Sequence, residues 1–209
     1  LASMQQPDNC DVAVLVVENG TGETSAPIIA EFTAIYPKVR IVGETEFNIG
    51  IPVARNTAVN RALELGADLI LFVDDDETVT QDWLVQMVRR YRKTSLMLIG
   101  GPVDVRPASP PNTLLKRLLI QGLERQSTTR SKRAQGLLKS GNQHKISLTT
   151  DNWLADARLF RDQKFSFDET MKLSGGSDMR LYRDARAAGI ATGWAKKALV
   201  TETISEDRL

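Results

Sequence analysis

The sequence has one cysteine and one histidine among its 209 residues, and this scarcity excludes several kinds of site. Cys10 has no cysteine partner within the chain, so no internal disulfide framework holds the fold. With His144 as the single histidine, a histidine-based metal cluster and a Ser–His–Asp triad both have little support. No apolar run is long enough to cross a bilayer, and no signal peptide is visible. We therefore expect a cytoplasmic protein, either free or peripheral on the inner face of the membrane.

Net charge is also nearly absent, because 27 basic residues oppose 26 acidic ones. This balance hides a basic stretch from 114 to 149, in which Glu124 is the one acid. The part from about 124 to 145 is polar and poor in large apolar residues, which predicts a mobile segment. Solvation alone would explain it, and so would binding of phosphates or anionic lipid head groups. We expect no nucleic-acid partner.

Short apolar runs alternate with amphipathic patterns along most of the chain. The run from Asp11 to Val17 predicts a buried strand, as does the run that begins at Leu69. One helical pattern places four apolar residues on a common face: Trp83, Leu84, Met87 and Val88. This alternation indicates βαβ units, and hence an α/β fold with a mostly parallel sheet flanked by helices. We predict a single domain over residues 1–209.

The most distinctive stretch is an apolar run that ends in acidic residues, from Leu69 to Glu77. In an open α/β sheet ligands bind beyond the carboxyl ends of the strands, so these acids stand where a ligand would be bound. Clustered carboxylates repel one another unless a cation lies among them, and Mg²⁺ is usually held by one or two carboxylates with phosphate oxygens. The stretch therefore predicts a metal and phosphate site, with a solvated acidic loop as the alternative. Because Glu18 also follows a strand, we expect it to converge with Asp74 on one sheet edge.

A second acidic position follows two glycines, in Gly175-Gly176-Ser177-Asp178. The pattern predicts a helix from Ser177 to about Ala188, and glycines before a helix let the backbone approach a ligand closely. Asp178 then lies in the first turn of that helix. It either complements the helix dipole or acts as a general base beside the metal site.

Taken in order, four motifs resemble the family 2 glycosyltransferases, which have the Rossmann-like GT-A fold. The resemblance extends over nearly the whole chain and rests on the following segments: Val16-Val17-Glu18-Asn19-Gly20, Asn48 to Asn56, Phe72-Val73-Asp74-Asp75-Asp76, and Gly175-Gly176-Ser177-Asp178 with Leu181 and Arg186-Ala187-Ala188-Gly189.

The resemblance implies roles for individual residues. The nucleotide would be bound by five residues: Glu18, Asn19, Arg55, Asp74 and Asp75. Asp76 would bind the metal ion that holds the diphosphate, and Asp178 would be the catalytic base. Three residues would lie on the acceptor side: Gly175, Gly176 and Trp153. Residues 1–105 would then form the nucleotide-binding half and residues 106–209 the acceptor-side half.

The resemblance also implies a reaction. A sugar would move from a nucleotide-diphosphate donor, with UDP-sugars expected first, to a saccharide or lipid-linked acceptor hydroxyl. The reaction would invert the anomeric carbon and belong to polysaccharide or glycolipid assembly. Mn²⁺ or Mg²⁺ would neutralise the leaving diphosphate. Two departures stand out: Ser177 replaces a glutamate of the family pattern, and the family's first strand is absent. Since the chain also does not begin with Met, we expect residues before Leu1 to be missing.

Two other functions remain open. Asp74, Asp76 and Thr78 match the Asp-x-Asp-x-Thr spacing of haloacid-dehalogenase-like phosphatases, in which Asp74 would form an aspartyl phosphate. That motif normally opens its fold, however, whereas two βα units precede it here. A nucleotide-sugar-binding domain without catalysis is the other alternative, which the replacement at Ser177 and the absent strand both favour.

Overall fold

The protein is described by a computed structural model, which covers residues 3–21 and 24–205. The strands are β1 (Ala13–Asn19), β2 (Arg40–Glu46), β3 (Leu69–Phe72), β4 (Glu77–Val79), β5 (Leu98–Gly100), β6 (Val103–Pro107), β7 (Trp153–Asp156), β8 (Thr192–Trp194) and β9 (Val200–Ile204). The helices are α1 (Ser25–Ile35), α2 (Ile51–Glu64), α3 (Trp83–Thr94), α4 (Leu114–Lys139), α5 (Arg158–Arg161) and α6 (Ser177–Ala187). Single 3-10 turns lie at Gln143–Lys145, Thr150–Asn152 and Glu169–Met171.

The strands pair in three groups. β1 and β2 are parallel, the central sheet has the order β3-β7-β5-β8, and a third group has the order β4-β9-β6. β7 runs antiparallel to both β3 and β5, and β4 runs antiparallel to β9. The α/β class with helix-flanked sheets is confirmed, and the sheets are mixed rather than mostly parallel.

β1 and β3 each have one neighbouring strand among the described residues, β2 and β7 respectively. The other edge of each is without a strand partner there. The expectation of a missing first strand concerns residues before Leu1, and it stays a prediction.

The central sheet is covered on both faces, which fixes the direction of its side chains. Trp153 and Ala155 of β7 face one apolar cluster, whereas Leu154 between them faces a second cluster on the opposite side. The first cluster includes Val59 of α2 and Leu181 of α6. The second receives α3, whose predicted apolar face is confirmed, because the following residues are all buried: Trp83, Leu84, Met87 and Val88. This alternation is the period-two pattern of a strand.

The basic segment that we expected to be mobile is mostly helical, which contradicts an irregular loop there, and its mobility stays a prediction. α4 continues without interruption to Lys139, and the side chain of Thr113 caps its start by accepting a hydrogen bond from Lys116 N. Its inner face is anchored because Ile120 and Ala134 are buried. Arg, Lys, Gln and Leu are good helix formers, so the polar composition that suggested a loop is also compatible with a solvated helix face.

No helix in the described ranges is both long enough and apolar enough to cross a membrane. α4 reaches 26 residues but has a strongly polar middle. Its exposed apolar residues are confined to the first two turns: Leu114, Leu115, Leu118 and Leu119.

Candidate functional site

An open pocket of about 230 Å³ brings together segments that are far apart in sequence. The start of α2, the loop after β3, the turn before β7 and the start of α6 all contribute to its wall. The lining residues are Ile51, Arg55, Asp74, Thr149, Thr150, Asp151, Gly175, Gly176 and Asp178. The structure thus places five residues selected from the sequence in one cavity: Arg55, Asp74, Gly175, Gly176 and Asp178.

The double glycine positions Asp178 at the pocket. Gly175 and Gly176 have φ values of +75° and +78°, a left-handed conformation that residues with a Cβ rarely adopt. This turn starts α6 and places Asp178 in its first turn, where the unpaired N–H groups of the helix favour a carboxylate. Thr150 N donates a further hydrogen bond to Asp178 Oδ2 over 3.3 Å. The carboxylate is therefore oriented from both sides of the pocket.

Arg55 supplies a positive charge to this wall. It lies on α2, and its guanidinium carbon stands 5.7 Å from the centre of the Phe167 ring. Burial raises the pKa of Asp74, and the charge of Arg55 opposes that effect. An arginine beside a carboxylate that lies at a strand end can bind phosphate or ribose groups, because its fork of N–H donors matches such oxygens.

Glu77 belongs to the acidic stretch, and its side chain bonds to the loop after β3 instead of lining the pocket. Its Oε2 accepts a hydrogen bond from Asp74 N over 2.8 Å. Burial raises the pKa of Glu77 to about 9, and the nearby carboxylates of Asp74 and Asp151 add to the effect. Through its hydrogen bond from Asp74 N, Glu77 fixes the turn that presents Asp74.

The turn Thr150–Asn152 is the part of the site that the sequence did not reveal. Asn152 is buried, and its side chain accepts from Trp83 Nε1 and donates to the backbone oxygens of Pro102 and Ala198, at 2.8 to 2.9 Å. These bonds hold the turn against the central sheet, and the turn places Thr150 and Asp151 in the pocket wall. An Asp-Asn pair before an apolar run was the signal available, but such pairs are common in ordinary turns.

Glu18 is engaged at the start of α1 and does not line this pocket as described. Its carboxylate accepts from Thr24 N, Thr24 Oγ1 and Ser25 N, at 2.8 to 3.3 Å. These hydrogen bonds lower the pKa of Glu18 to about 2, and those from Ser25 have the largest effect. Glu18 lies on β1, which pairs with β2 and not with β3, and it is not among the residues that line the pocket. Its convergence with Asp74 on one sheet edge stays a prediction.

Asn19 shapes the entrance to α2. Its amide donates to the backbone oxygens of Glu46 and Asn48, and its oxygen accepts from Gly50 N. Gly50 precedes the first residue of α2, so Asn19 orients the helix that carries Arg55. A direct contact between Asn19 and a nucleotide stays a prediction.

Asp75 and Asp76 are exposed beside the pocket. Among the described residues no group of three or more His, Cys, Asp or Glu side chains is arranged to hold a metal ion. A cation here would have to share its coordination between one or two carboxylates and the oxygens of a bound diphosphate. The all-oxygen chemistry of Asp74 and Asp76 fits Mg²⁺ or Mn²⁺ held in that manner.

Trp153 is a core residue and not a wall of the acceptor side. Its side chain has 0% exposure, and its ring packs 5.8 Å from Phe72 and 6.0 Å from Phe167, measured between ring centres. The resemblance had implied a place on the acceptor side. The strand period turns its side chain into the first apolar cluster.

Comparisons with known proteins give the family and two relatives of this chain. A family model described as Glycosyl transferase family 2 matches residues 1–157. The succinoglycan biosynthesis protein ExoM of Rhizobium meliloti (strain 1021) is 27% identical over the whole chain, which spans 62% of that protein's length. The glycosyltransferase AglE of Haloferax volcanii is 32% identical over 91 residues, covering 44% of this chain and 29% of AglE.

Solved structures support the fold. A structure of S. aureus TarS 1-349 in complex with UDP-GlcNAc has a TM-score of 0.65 and 15% identity, and the match covers 97% of this chain and 52% of that one. The complex of the same protein with UDP gives a TM-score of 0.64 at 15% identity, over 99% of this chain and 55% of that one. At this level of identity the likeness concerns the GT-A fold alone.

Proposed function

Because the chain belongs to glycosyltransferase family 2, and so not to the haloacid-dehalogenase-like phosphatases, we propose that it transfers a sugar from a nucleotide-diphosphate donor to an acceptor hydroxyl. The proposal rests on one observation, which is that one open pocket is lined by Arg55, Asp74 and Asp178. One cationic group and two carboxylates from three segments suit a diphosphate leaving group and a hydroxyl nucleophile. Similarity to ExoM, a succinoglycan biosynthesis protein, supports a place in polysaccharide assembly.

In the proposed reaction Asp178 is the general base. Its carboxylate takes the proton of the acceptor hydroxyl as that oxygen attacks the anomeric carbon. The bond between the anomeric carbon and the diphosphate breaks, and its electron pair leaves with the nucleotide. A single displacement of this kind inverts the configuration of the anomeric carbon. The hydrogen bond from Thr150 N orients the base before substrate binds.

The donor end of the pocket is assigned to the other charged groups. Arg55 and Asp74 would contact the diphosphate and ribose, while Asp75, Asp76, Glu18 and Asn19 lie on neighbouring segments. Mn²⁺ or Mg²⁺, shared by Asp76 and the phosphate oxygens, would act as a Lewis acid that neutralises the leaving group. UDP-sugars are the donors we propose first, since TarS was solved with UDP-GlcNAc and with UDP.

The acceptor is proposed to be a saccharide or a lipid-linked saccharide at a membrane surface. α4 supports this, because its first two turns expose leucines next to Lys116 and Arg117. An apolar stripe flanked by basic residues suits the interface of an anionic bilayer. The protein would then act on the cytoplasmic side as a peripheral protein.

Thermal unfolding with a nucleotide panel tests the donor half of the proposal. UDP, GDP, CDP and TDP are each added with and without Mn²⁺. A ligand present at a hundred times its Kd stabilises by about 2.7 kcal/mol. We expect one nucleotide to give a metal-dependent increase in Tm that Asp76→Ala abolishes. No increase with any nucleotide and metal would contradict the proposal.

Asp178→Asn tests catalysis and separates it from mere binding. The variant should keep the Tm increase with nucleotide, yet lose at least about a hundredfold in sugar transfer or in donor hydrolysis, because positioned bases contribute this much. A wild-type protein that binds the donor but shows neither reaction with any acceptor or with water would instead be a non-catalytic nucleotide-sugar-binding domain.

A further inference from the structure

Asp151 has a carboxylate oxygen that is buried and unsatisfied at the pocket. Within residues 3–21 and 24–205, no donor reaches Asp151 Oδ1. The residue lines the same cavity as Asp74 and Asp178. Buried acceptors in folded proteins are nearly always paired, and an unpaired one has an energetic cost that a ligand can relieve.

The rest of the Asp151 side chain is held in place. Its Oδ2 lies 3.9 Å from Arg130 Nη1 of α4. Arg130 Nη2 also donates to Thr149 Oγ1 over 2.5 Å, two residues before Asp151 in sequence. On the other side, Asn152 is fixed by its three buried hydrogen bonds. The carboxylate is thus pre-oriented by its neighbours, although Oδ1 has no partner among them.

The chemistry of the missing partner follows from the carboxylate. An ionised carboxylate is an acceptor only, so the group that pairs with Oδ1 must be a hydrogen-bond donor or a cation. A cation is the less suitable partner, because Arg130 already brings a positive charge to Oδ2. Sugar hydroxyls are neutral donors, and they can pair with one oxygen without disturbing the contact between Oδ2 and Arg130.

We propose that Asp151 Oδ1 accepts a hydrogen bond from a hydroxyl of the substrate sugar, and that Asp151 is therefore a specificity-determining residue of this pocket. The proposal rests on the proposed glycosyltransferase function. Arg130 acts through Asp151 as a positioning residue, which links α4 to sugar recognition. The hydroxyl belongs either to the donor sugar or to the acceptor, and the two sources differ in what they predict for binding of the donor.

The donor arm compares UDP with UDP-glucose, UDP-galactose and UDP-GlcNAc by calorimetry in Mn²⁺, for the wild-type protein and Asp151→Asn. If the hydroxyl belongs to the donor, the substitution weakens binding of the preferred UDP-sugar by about 10- to 100-fold, the loss typical of a hydrogen bond to a charged group. Binding of UDP itself stays within about twofold. An equal loss for UDP and UDP-sugar overturns the proposal, because it would show an effect on the nucleotide or the fold.

The acceptor arm applies when donor binding is unchanged in Asp151→Asn. The KM for a saccharide acceptor is then expected to rise about tenfold or more, while donor hydrolysis in the absence of acceptor is unaltered. Unchanged donor binding together with an unchanged acceptor KM overturns the proposal. If wild-type protein binds no nucleotide at all, the underlying transferase function fails, which is a different and recognisable result.

Two variants serve as matched controls, Asp162→Asn and Arg133→Ala. Asp162→Asn breaks another Arg–Asp pair, the 2.9 Å contact with Arg161 on the surface away from the pocket, and should change neither binding nor transfer. Arg130→Gln should reproduce the effect of Asp151→Asn at reduced size, whereas Arg133→Ala on the same helix should have none. If Arg130→Gln and Arg133→Ala behave alike, Arg130 has no positioning role.

Discussion

Arg55 Nη1 donates a hydrogen bond to Ser177 Oγ over 3.1 Å, and this contact joins α2 to the first turn of α6. Ser177 stands where the family pattern has a glutamate, and it is 1% exposed. A small hydroxyl here gives Arg55 an acceptor without adding another negative charge next to Asp178. The departure from the family pattern is therefore compatible with a formed site, in which Arg55 and Asp74 line the same pocket.

Ser177→Ala should loosen Arg55. Loss of one hydrogen bond in this buried position should cost about 1 kcal/mol of unfolding free energy, measured by urea denaturation. Affinity for the nucleotide should fall severalfold, because the guanidinium loses its fixed orientation. Ser166→Ala, at an exposed position before the core residue Phe167, is the control and should change neither quantity. Equal nucleotide affinity in Ser177→Ala and wild type would contradict the role given to this contact.

Asn152→Ala should destabilise the protein strongly. It leaves Trp83 Nε1 and the backbone oxygens of Pro102 and Ala198 without their buried partner. We expect a loss of at least about 3 kcal/mol, since each buried group left unsatisfied costs about 1–3 kcal/mol. In Asn142→Ala, which removes an exposed amide bonded to the nearby Ser140, the loss should stay below about 0.5 kcal/mol. Similar losses in the two variants would refute this account.

Gly101→Ala should be destabilising, whereas Gly122→Ala should not. A Cβ on Gly101 would lie 2.5 Å from Ala198 O and 2.5 Å from Asn152 Nδ2, so the backbone must shift. We expect a loss of about 1–3 kcal/mol or more, as for other overpacked sites. Gly122 lies inside α4 with open space around it, and alanine there should stabilise by up to about 1 kcal/mol. Destabilisation by Gly122→Ala would argue against a continuous α4.

Stability should depend on pH through Asp156. Burial raises the pKa of this carboxyl, but hydrogen bonds from Arg158 and Tyr91 outweigh burial and lower it to about 2, from an ordinary 3.8. A pKa lowered by folding contributes stability above the unfolded value, and that contribution disappears as pH falls from about 4 to 2. Asp156→Asn should therefore cost about 2 kcal/mol at pH 7. The difference from wild type should shrink toward pH 2 in urea titrations, and a constant difference would contradict this assignment.

Membrane contact through α4 is tested with vesicles. Leu115 and Leu118 are 67% and 57% exposed, so aspartate at both positions should leave the fold intact. We expect wild-type protein to co-sediment with phosphatidylglycerol vesicles more than with phosphatidylcholine vesicles. The double variant should bind at least tenfold more weakly, because it removes apolar contact and adds negative charge. Ile28→Asp on α1 is the control, and equal binding by both variants would refute a docking role for α4.

The parts of the fold and site that could be predicted from the sequence are those with local signals. Asp74 follows a short apolar strand, and Asp178 follows two glycines that the sequence pattern placed at a helix start. Both were placed in one cavity by the structure. Local signals were sufficient for these two residues, because the position of each depends on a strand end or a helix start and not on distant contacts.

The remaining features depend on contacts that the sequence does not display. The helical state of α4 follows from burying Ile120 and Ala134 against other elements, while its composition resembles that of a loop. Asp151 was missed because only its position between Arg130 and the pocket distinguishes it from a turn residue. Trp153 was misplaced because the direction of a side chain on β7 depends on strand register.

Asn152 also bears on the order in which this protein assembles. Its three side-chain partners lie 46, 50 and 69 residues away along the chain, so the turn that carries Asp151 cannot be fixed until the segments between them have closed. Contacts of such long range form late and slow the folding reaction. The pocket should therefore be absent from partly folded states, and hydrogen exchange at this turn should require opening of the central sheet as a whole.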